Sequence, residues 1–251
     1  MKGIILAGGH GTRLYPLTKV TSKQLLPIYN KPMVFYPLET LLNAGITEIL
    51  FIIAPTQAGH FLNLLGSGKS FGAKFRFEIQ DRPEGLAQAF IIAEDFIGND
   101  NVAMILGDNI FEDDFSAAIN RFSSGSHIFA KKVPDPERFG VVKFDQKGRA
   151  TRIEEKPKKF LSNYAITGLY IYDNRVIEIA KKLKPSARGE LEITDLHNWY
   201  LRKGELRVDV IEREWIDAGT FDSLLRAANW AKAREESAHK SARRKPAKKS
   251  F

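Results

Sequence analysis

The 251-residue chain contains no cysteine, which excludes a disulfide framework and any metal centre built on thiolates. It has no apolar run approaching the ~20 residues that a membrane-spanning helix needs. No basic-then-apolar leader precedes the first apolar segment, so a cytoplasmic protein is expected. Internal repeats are absent, and none of the five histidines falls in a metal-pair or nucleophile–base spacing. Two familiar phosphate-binding fingerprints are missing as well. No stretch fits G-x-x-x-x-G-K-[ST], and Gly9-x-Gly11-x-x is followed by Leu14 where the dinucleotide fingerprint needs a third glycine.

What is present begins with charge. The net charge is +8, but residues 231–251 carry eight Lys and Arg against Glu235 and Glu236. That segment therefore holds +6, leaving +2 for residues 1–230. The excess belongs to a tail rich in Ala, Ser, Lys and Arg, with too few apolar anchors to order itself, so residues 231–251 are expected to be a disordered extension. A nucleic-acid contact through this tail is open but not favoured, because the body lacks a basic surplus. Residues 1–230 have the length and apolar content of one α/β domain.

That domain opens on Lys2-Gly3-Ile4-Ile5-Leu6-Ala7, the pattern of a buried strand, and runs into Gly8-Gly9-His10-Gly11-Thr12-Arg13. Three glycines in four positions let the backbone turn tightly and direct N–H groups at an anion. The glycines alone fit a plain turn equally well. Arg13 adds a planar fork for phosphate oxygens and Lys23 a compact charge, which tips the reading to a polyphosphate site.

Apolar strands are expected at 2–7, 47–54, 74–80 and 101–106, with helices at 32–44, 57–65 and 86–96 between them. This alternation predicts a Rossmann-like, mostly parallel sheet flanked by helices, with right-handed crossovers. Ligands of such sheets bind beyond the carboxyl ends of the strands, which puts the glycine loop, Gln80 and Asp108 on one rim. From about 126 the pattern changes to strands at 127–133, 139–144, 149–154 and 165–172, then helices at 174–183 and 192–203, a strand at 206–211 and a helix from 221. This second part, about 126–230, is read as a mixed sheet integrated with the first part, about 1–125, and closing one side of the cleft.

Asp108 follows an apolar strand and Gly107, a placement suited to a hard cation that keeps its waters and bridges phosphates. Taken alone it is also an ordinary turn residue, and Asp217 alone reads as a turn or helix-entry residue. Glu155-Lys156-Pro157 ends a strand, with the proline keeping Lys156 out of helical geometry. Gln88 reads equally as a solvated amide or a ligand contact.

Together, Leu6-Ala7-Gly8-Gly9-x-Gly11-Thr12-Arg13-Leu14, Ser22-Lys23-Gln24-Leu25-Leu26-Pro27, Gly85-Leu86-Ala87-Gln88-Ala89, Leu106-Gly107-Asp108-Asn109, Glu154-Glu155-Lys156-Pro157, Gly189-Glu190-Leu191-Glu192-Ile193-Thr194-Asp195 and Trp215-Ile216-Asp217-Ala218-Gly219-Thr220 resemble the signature of the sugar-1-phosphate nucleotidyltransferases. The motifs stand in that family's order across residues 1 to 230, nearest to its thymidylyl branch. The resemblance implies transfer of a nucleotidyl group from dTTP to glucose 1-phosphate. Use of UTP, use of another sugar phosphate, or a catalytically silent sugar-nucleotide binder remain alternatives.

The resemblance also implies roles. Arg13, Lys23 and Lys156 would be catalytic cations, and Asp108 and Asp217 the ligands of a catalytic Mg²⁺. Gly8, Gly9, Gly11, Thr12, Gln24, Gln80, Gly85 and Asn109 would bind the nucleotide, with Gln80 and Gly85 at the base. Gly140, Glu155, Thr167 and Gly168 would line the sugar pocket. The family's familiar tyrosine before the pocket glycine is Phe139 here, one hydroxyl fewer for sugar discrimination. Longer members carry a further carboxyl-terminal helical segment associated with subunit contacts and feedback. The match stops near 230, so neither is carried over and homo-oligomerisation is left open.

Overall fold

A computed structural model describes residues 1–9 and 11–244. In chain order the elements are β1 (Lys2–Ala7), the short hairpin β2 (Pro27–Ile28) and β3 (Lys31–Pro32), α1 (Phe35–Asn43), β4 (Glu48–Ile53), α2 (Ala58–Leu65), β5 (Lys74–Ile79), α3 (Gln88–Ile92), α4 (Glu94–Ile97), β6 (Val102–Leu106) and β7 (Asn109–Phe111). There follow α5 (Ser116–Arg121), β8 (Ser126–Lys132), β9 (Gly140–Phe144), β10 (Ala150–Glu155), β11 (Tyr164–Tyr172), α6 (Val176–Lys181), α7 (Ile193–Lys203), β12 (Leu206–Val210), β13 (Trp215–Asp217) and α8 (Phe221–Arg244).

Strands β5, β4, β1 and β6 lie side by side in that order, all parallel. Side chains of the inner strands β4, β1 and β6 are buried on both faces, the reason they read as unbroken apolar runs, whereas the edge strand β5 alternates and leaves most of its side chains exposed. One face, including Ile4, Leu50, Ile52 and Met104, packs against α3, α4, α6 and α7. The other, including Ile5, Phe51, Ile53 and Ile105, packs against α1, α2 and α5. Strand β11 joins antiparallel to β6 and extends the same sheet through β9 and β10, while β8 and β12 branch from β11. The expected mixed region thus shares one sheet with the parallel half.

Several short elements lie outside the ranges expected from the sequence. The two-stranded ladder β7–β13 sets Asp217 opposite Asn109, and β2–β3 forms a separate hairpin. Helix α5 fills the connection before β8. Elements of two to six residues carry too little periodicity to be recognised.

The expected disorder from residue 231 needs correction. Helix α8 is continuous to Arg244, and only residues 245–251 lie outside the described residues. Alanine-rich sequence favours helix, and the helix is anchored at its midpoint. Ala227 and Ala231 are buried with Ile28, Met33, Ile110 and Ile216, with Leu224 and Trp230 packed against them. Arg234 pairs with Glu112, and the Asn30 amide donates to Glu235. Among the described residues no helix is long and apolar enough to cross a membrane.

Candidate active site

The carboxyl ends of β1, β5 and β6 open into a cleft of about 340 Å³ that reaches across to β9, β10 and β11. Leu6 ends the first apolar strand, and the glycine loop then turns over the rim. Gly8 is there because the side chain of Gln80 occupies its space: a Cβ would sit 2.2 Å from Gln80 Oε1. Gly11 adopts φ +61° and packs closely on Thr18, whose hydroxyl donates to the Gly11 carbonyl at 2.8 Å. Thr12 starts the single 3₁₀ turn Thr12–Leu14 that presents Arg13. Gly9, Arg13, Lys23 and Gln24 face the cleft, whereas Gly8, Gly11 and Thr12 shape the loop without lining it. His10 lies outside the described residues.

At the centre, Asp108 is buried and forms an ion pair with Lys23. Burial would raise its pKa, but the Lys23 charge and the hydrogen bonds from Lys23 and Asn109 hold it below the usual carboxylate range. Asp217 arrives from the β13 end. The Ala218 N–H donates to the Asp108 carbonyl at 2.9 Å, so the two aspartates leave adjacent strand ends. Burial and the neighbouring Asp108 push Asp217 up to about 7, against the pull of Lys23 and Arg13. Two carboxylates this close, Asp108 buried and Asp217 half-buried, are short of positive charge. Among the described residues no group of three or more acidic or histidine side chains encloses a cation. Carboxylate oxygens such as these are ligands of the kind a hard cation takes alongside water and phosphate oxygens. Gly219 gives the Arg13 guanidinium room beside this pair: a Cβ there would lie 2.9 Å from Arg13 Nη2.

Asn109, expected at the nucleotide, has its amide committed to the protein. Nδ2 donates to Asp108 at 3.1 Å, and Oδ1 accepts from Trp215 Nε1 at 2.7 Å and from the Gly168 N–H at 3.0 Å. It lines the cleft but acts by fixing Asp108 and tying β7 to β11 and β13. Gly168 is small for the same reason, since a Cβ would meet the Asn109 amide at 2.5 Å. Gln24 is likewise buried, with Oε1 accepting from Ser22 Oγ at 2.5 Å.

On the opposite side stand Gly140, Glu155, Lys156 and Thr167. The Thr167 hydroxyl donates to the Phe129 carbonyl at 3.0 Å, so it shapes this wall. Lys156 has φ +41°, an uncommon conformation for a side-chain-bearing residue, and its N–H donates to the Phe139 carbonyl at 3.0 Å. Burial, followed by Glu192, raises the Glu155 pKa, with Arg188 and Lys156 opposing. Phe139 packs its ring on Trp215 with centroids 5.2 Å apart.

Several cleft residues were missed as functional residues. Arg188 binds Glu192 at 2.7 Å, Glu190 at 3.0 Å and Glu155 at 3.5 Å, a charged loop leading into α7. The alternation Arg188, Glu190, Glu192 was a usable signal, because so many charges before a helix need partners. Gly85 has a further reason for being glycine. At φ +109° its Cβ would lie 2.4 Å from the Leu191 carbonyl oxygen, where the chain segments meet through Leu191 N–H to Glu84 O at 2.7 Å and Ala87 N–H to Leu191 O at 3.1 Å.

A parallel α/β sheet that gathers cations around buried carboxylates at its carboxyl rim handles phosphorylated nucleotides, and that is the class this cleft defines. The chain belongs to the nucleotidyl transferase family, whose model matches residues 2–234. It is 55% identical over 236 residues to a glucose-1-phosphate thymidylyltransferase of Neisseria meningitidis, covering 92% of this chain and 82% of that one. The corresponding Mycobacterium tuberculosis protein is 53% identical over 240 residues, covering 94% and 83%. A Bacillus anthracis crystal structure assigned as a glucose-1-phosphate thymidylyltransferase superposes with a TM-score of 0.88 at 48% identity, covering 92% of this chain and 95% of that one. A UDP-glucose pyrophosphorylase structure, at TM-score 0.81 and 23% identity, covers 93% and 98% and shares the fold.

Proposed function

We propose that this enzyme transfers the thymidylyl group of dTTP to glucose 1-phosphate, giving dTDP-glucose and pyrophosphate, in the cytoplasm. The observation that carries the reading is the convergence of Arg13, Lys23 and the Asp108–Asp217 pair on one rim, facing Lys156 across the cleft. The similarity to thymidylyltransferases at about half of all positions supports dTTP and glucose 1-phosphate as the substrates.

A phosphate oxygen of the sugar phosphate attacks the α-phosphorus of the triphosphate. One P–O bond forms there while the bond to the β-phosphate oxygen breaks and pyrophosphate leaves with its electrons. The nucleophile is already an anion, so no residue need remove a proton. The barrier lies in bringing two polyanions together, which makes positioning and charge neutralisation the work of the site. Asp108 and Asp217 would hold Mg²⁺, which when bound draws charge from the phosphate oxygens. Arg13, beside Gly219, neutralises the outer phosphates. Lys23 serves the reacting phosphates from its position on Asp108. Lys156 orients the incoming sugar phosphate, and Arg188 offers a second fork once freed from its carboxylates. Gln80 and Gly85 meet the base, and Glu155 and Gly140 the sugar.

A pyrophosphate-release assay with dTTP or UTP against a panel of sugar 1-phosphates tests this directly. Turnover should be greatest with dTTP and glucose 1-phosphate and should stop when divalent cations are chelated. A preference for UTP would transfer the assignment to uridylyl transfer, and silence with every triphosphate would overturn it.

A further inference from the structure

The rim of the cleft contains a chain of three polar groups whose direction can be worked out from a single unambiguous donor. The Glu84 backbone N–H points at the Gln88 side chain 3.1 Å away, so the atom it meets must be the Gln88 oxygen. The other end of the same amide lies 2.9 Å from Glu84 Oε2, which fits the Gln88 NH₂. Both ends of Gln88 are thereby fixed. Gln80 meets the Gln88 oxygen at 2.7 Å, so the Gln80 atom there must be its NH₂ group. Among the described residues this is the one hydrogen bond of the Gln80 amide, and its own oxygen is turned to Gly8. Gln80 is 4% exposed, so its end of the relay is shielded from water, while the Glu84–Gln88 bonds lie at the exposed rim.

The direction matters because a glutamine amide can pair with either kind of pyrimidine. With its oxygen and one N–H presented together, it matches thymine or uracil, which offer a ring N–H beside a carbonyl. Turned over by 180°, the same side chain matches cytosine, which offers a ring nitrogen acceptor beside an amino group. A glutamine free to turn therefore discriminates poorly between the two classes, and one locked in place leaves the wrong base with opposed donors and acceptors. We propose that Gln88 is a positioning residue that locks the Gln80 amide in the thymine-reading direction and so sets the enzyme's rejection of cytosine nucleotides. Gln88 acts through Gln80 and needs no contact with substrate. The proposal rests on Gln80 reading the base, as inferred above.

The test is the ratio of kcat/KM for dTTP to that for dCTP, at saturating glucose 1-phosphate, measured on single preparations so that any loss of folded enzyme cancels. Gln88→Leu should lower that ratio at least about tenfold, with the KM for glucose 1-phosphate unchanged. The double variant Gln88→Glu with Glu84→Gln keeps an acceptor toward both Gln80 and the Glu84 N–H, and should retain the wild-type ratio. Gln80→Ala should collapse discrimination. If Gln80→Ala collapses it but Gln88→Leu leaves the ratio intact, the locking role is overturned and the base-reading role stands. If Gln80→Ala also leaves the ratio intact, Gln80 does not read the base and both fall. A double variant as indiscriminate as Gln88→Leu would equally sink the acceptor argument.

Discussion

At the scale of single residues, the centre of the site is a charge balance in which each group depends on its neighbour. Lys23 is the group that holds Asp108 ionised in a buried position. Replacing it with alanine removes a cation from the proposed phosphate site and leaves buried Asp108 beside Asp217 without its ion-pair partner. Lys23→Ala is expected to slow kcat by ~10²–10³, the magnitude typical of losing one charge-stabilising contact. Steady-state pyrophosphate release, with circular dichroism to confirm folding, checks this; near-normal kcat would remove Lys23 from the chemistry. Arg13 and Lys23 stood out from the sequence itself, as cations beside a glycine-rich turn at a strand end, whereas Lys156 was picked out only by the family resemblance. Asn109 was legible as important but not in its manner of acting. Only the ladder β7–β13 and the approach of Gly168 reveal that its amide faces inward.

At the scale of elements, α7 and α8 each make a measurable prediction. His197 on α7 is fully buried, with Nδ1 2.8 Å from the Tyr172 hydroxyl of β11, and burial lowers its pKa from 6.5 to about 3. The folded state thus holds the imidazole neutral while the unfolded chain binds a proton below about pH 6.5. Its contribution to stability is complete above that pH and is lost as pH falls from 6.5 towards 3. His127 on β8 shifts in the same direction, through burial and despite Asp209. Asp217, raised to about 7, acts in the opposite sense over this range, so the His197 contribution is read as a difference: in urea unfolding between pH 7.5 and 4.5, the stability of His197→Leu relative to wild type should rise as pH falls. A difference that stays constant with pH would mean that His197 makes no such contribution.

Helix α8 divides at the point where its apolar face ends. A chain ending at residue 244 should keep wild-type activity and melting temperature. A chain ending at residue 229 loses Trp230 and Ala231 from the cluster over Ile28, Ile110 and Ile216, along with the Arg234–Glu112 pair. It should be destabilised by roughly 2–4 kcal/mol, the usual range for removing large apolar groups from a core. Thermal melts of the two truncations distinguish this from the disordered tail that composition suggested. Composition misled here because alanine and lysine serve both a solvated tail and a helix. The deciding factor is a groove on the body, which one-dimensional reading cannot supply.

At the scale of the whole molecule, one sheet spans both halves of the cleft, and the segment 84–87 from the parallel half is strapped to Leu191 from the other. A substrate pressed against either side of this strap therefore acts on both. Gly85→Ala would force a methyl group against Leu191 backbone, at 2.4–2.5 Å, in a conformation with φ +109° that alanine resists. The expected result is a raised KM for dTTP and for glucose 1-phosphate together, measured by varying each in turn. A change confined to dTTP would show that Gly85 serves the base alone.

Strand and helix alternation, the glycine loop and the cations Arg13 and Lys23 beside it were determined by local sequence, because periodicity, turn chemistry and charge are written along the chain. The tertiary structure alone decided which distant groups meet. Asp108 and Asp217 become a pair because β13 returns beside β7. Arg188 enters the cleft because its loop leads into α7. Gln80 takes its direction from a backbone N–H four residues on. Such meetings depend on contacts between residues remote in the chain or on the orientation of a single amide, and neither leaves a periodic trace in the sequence.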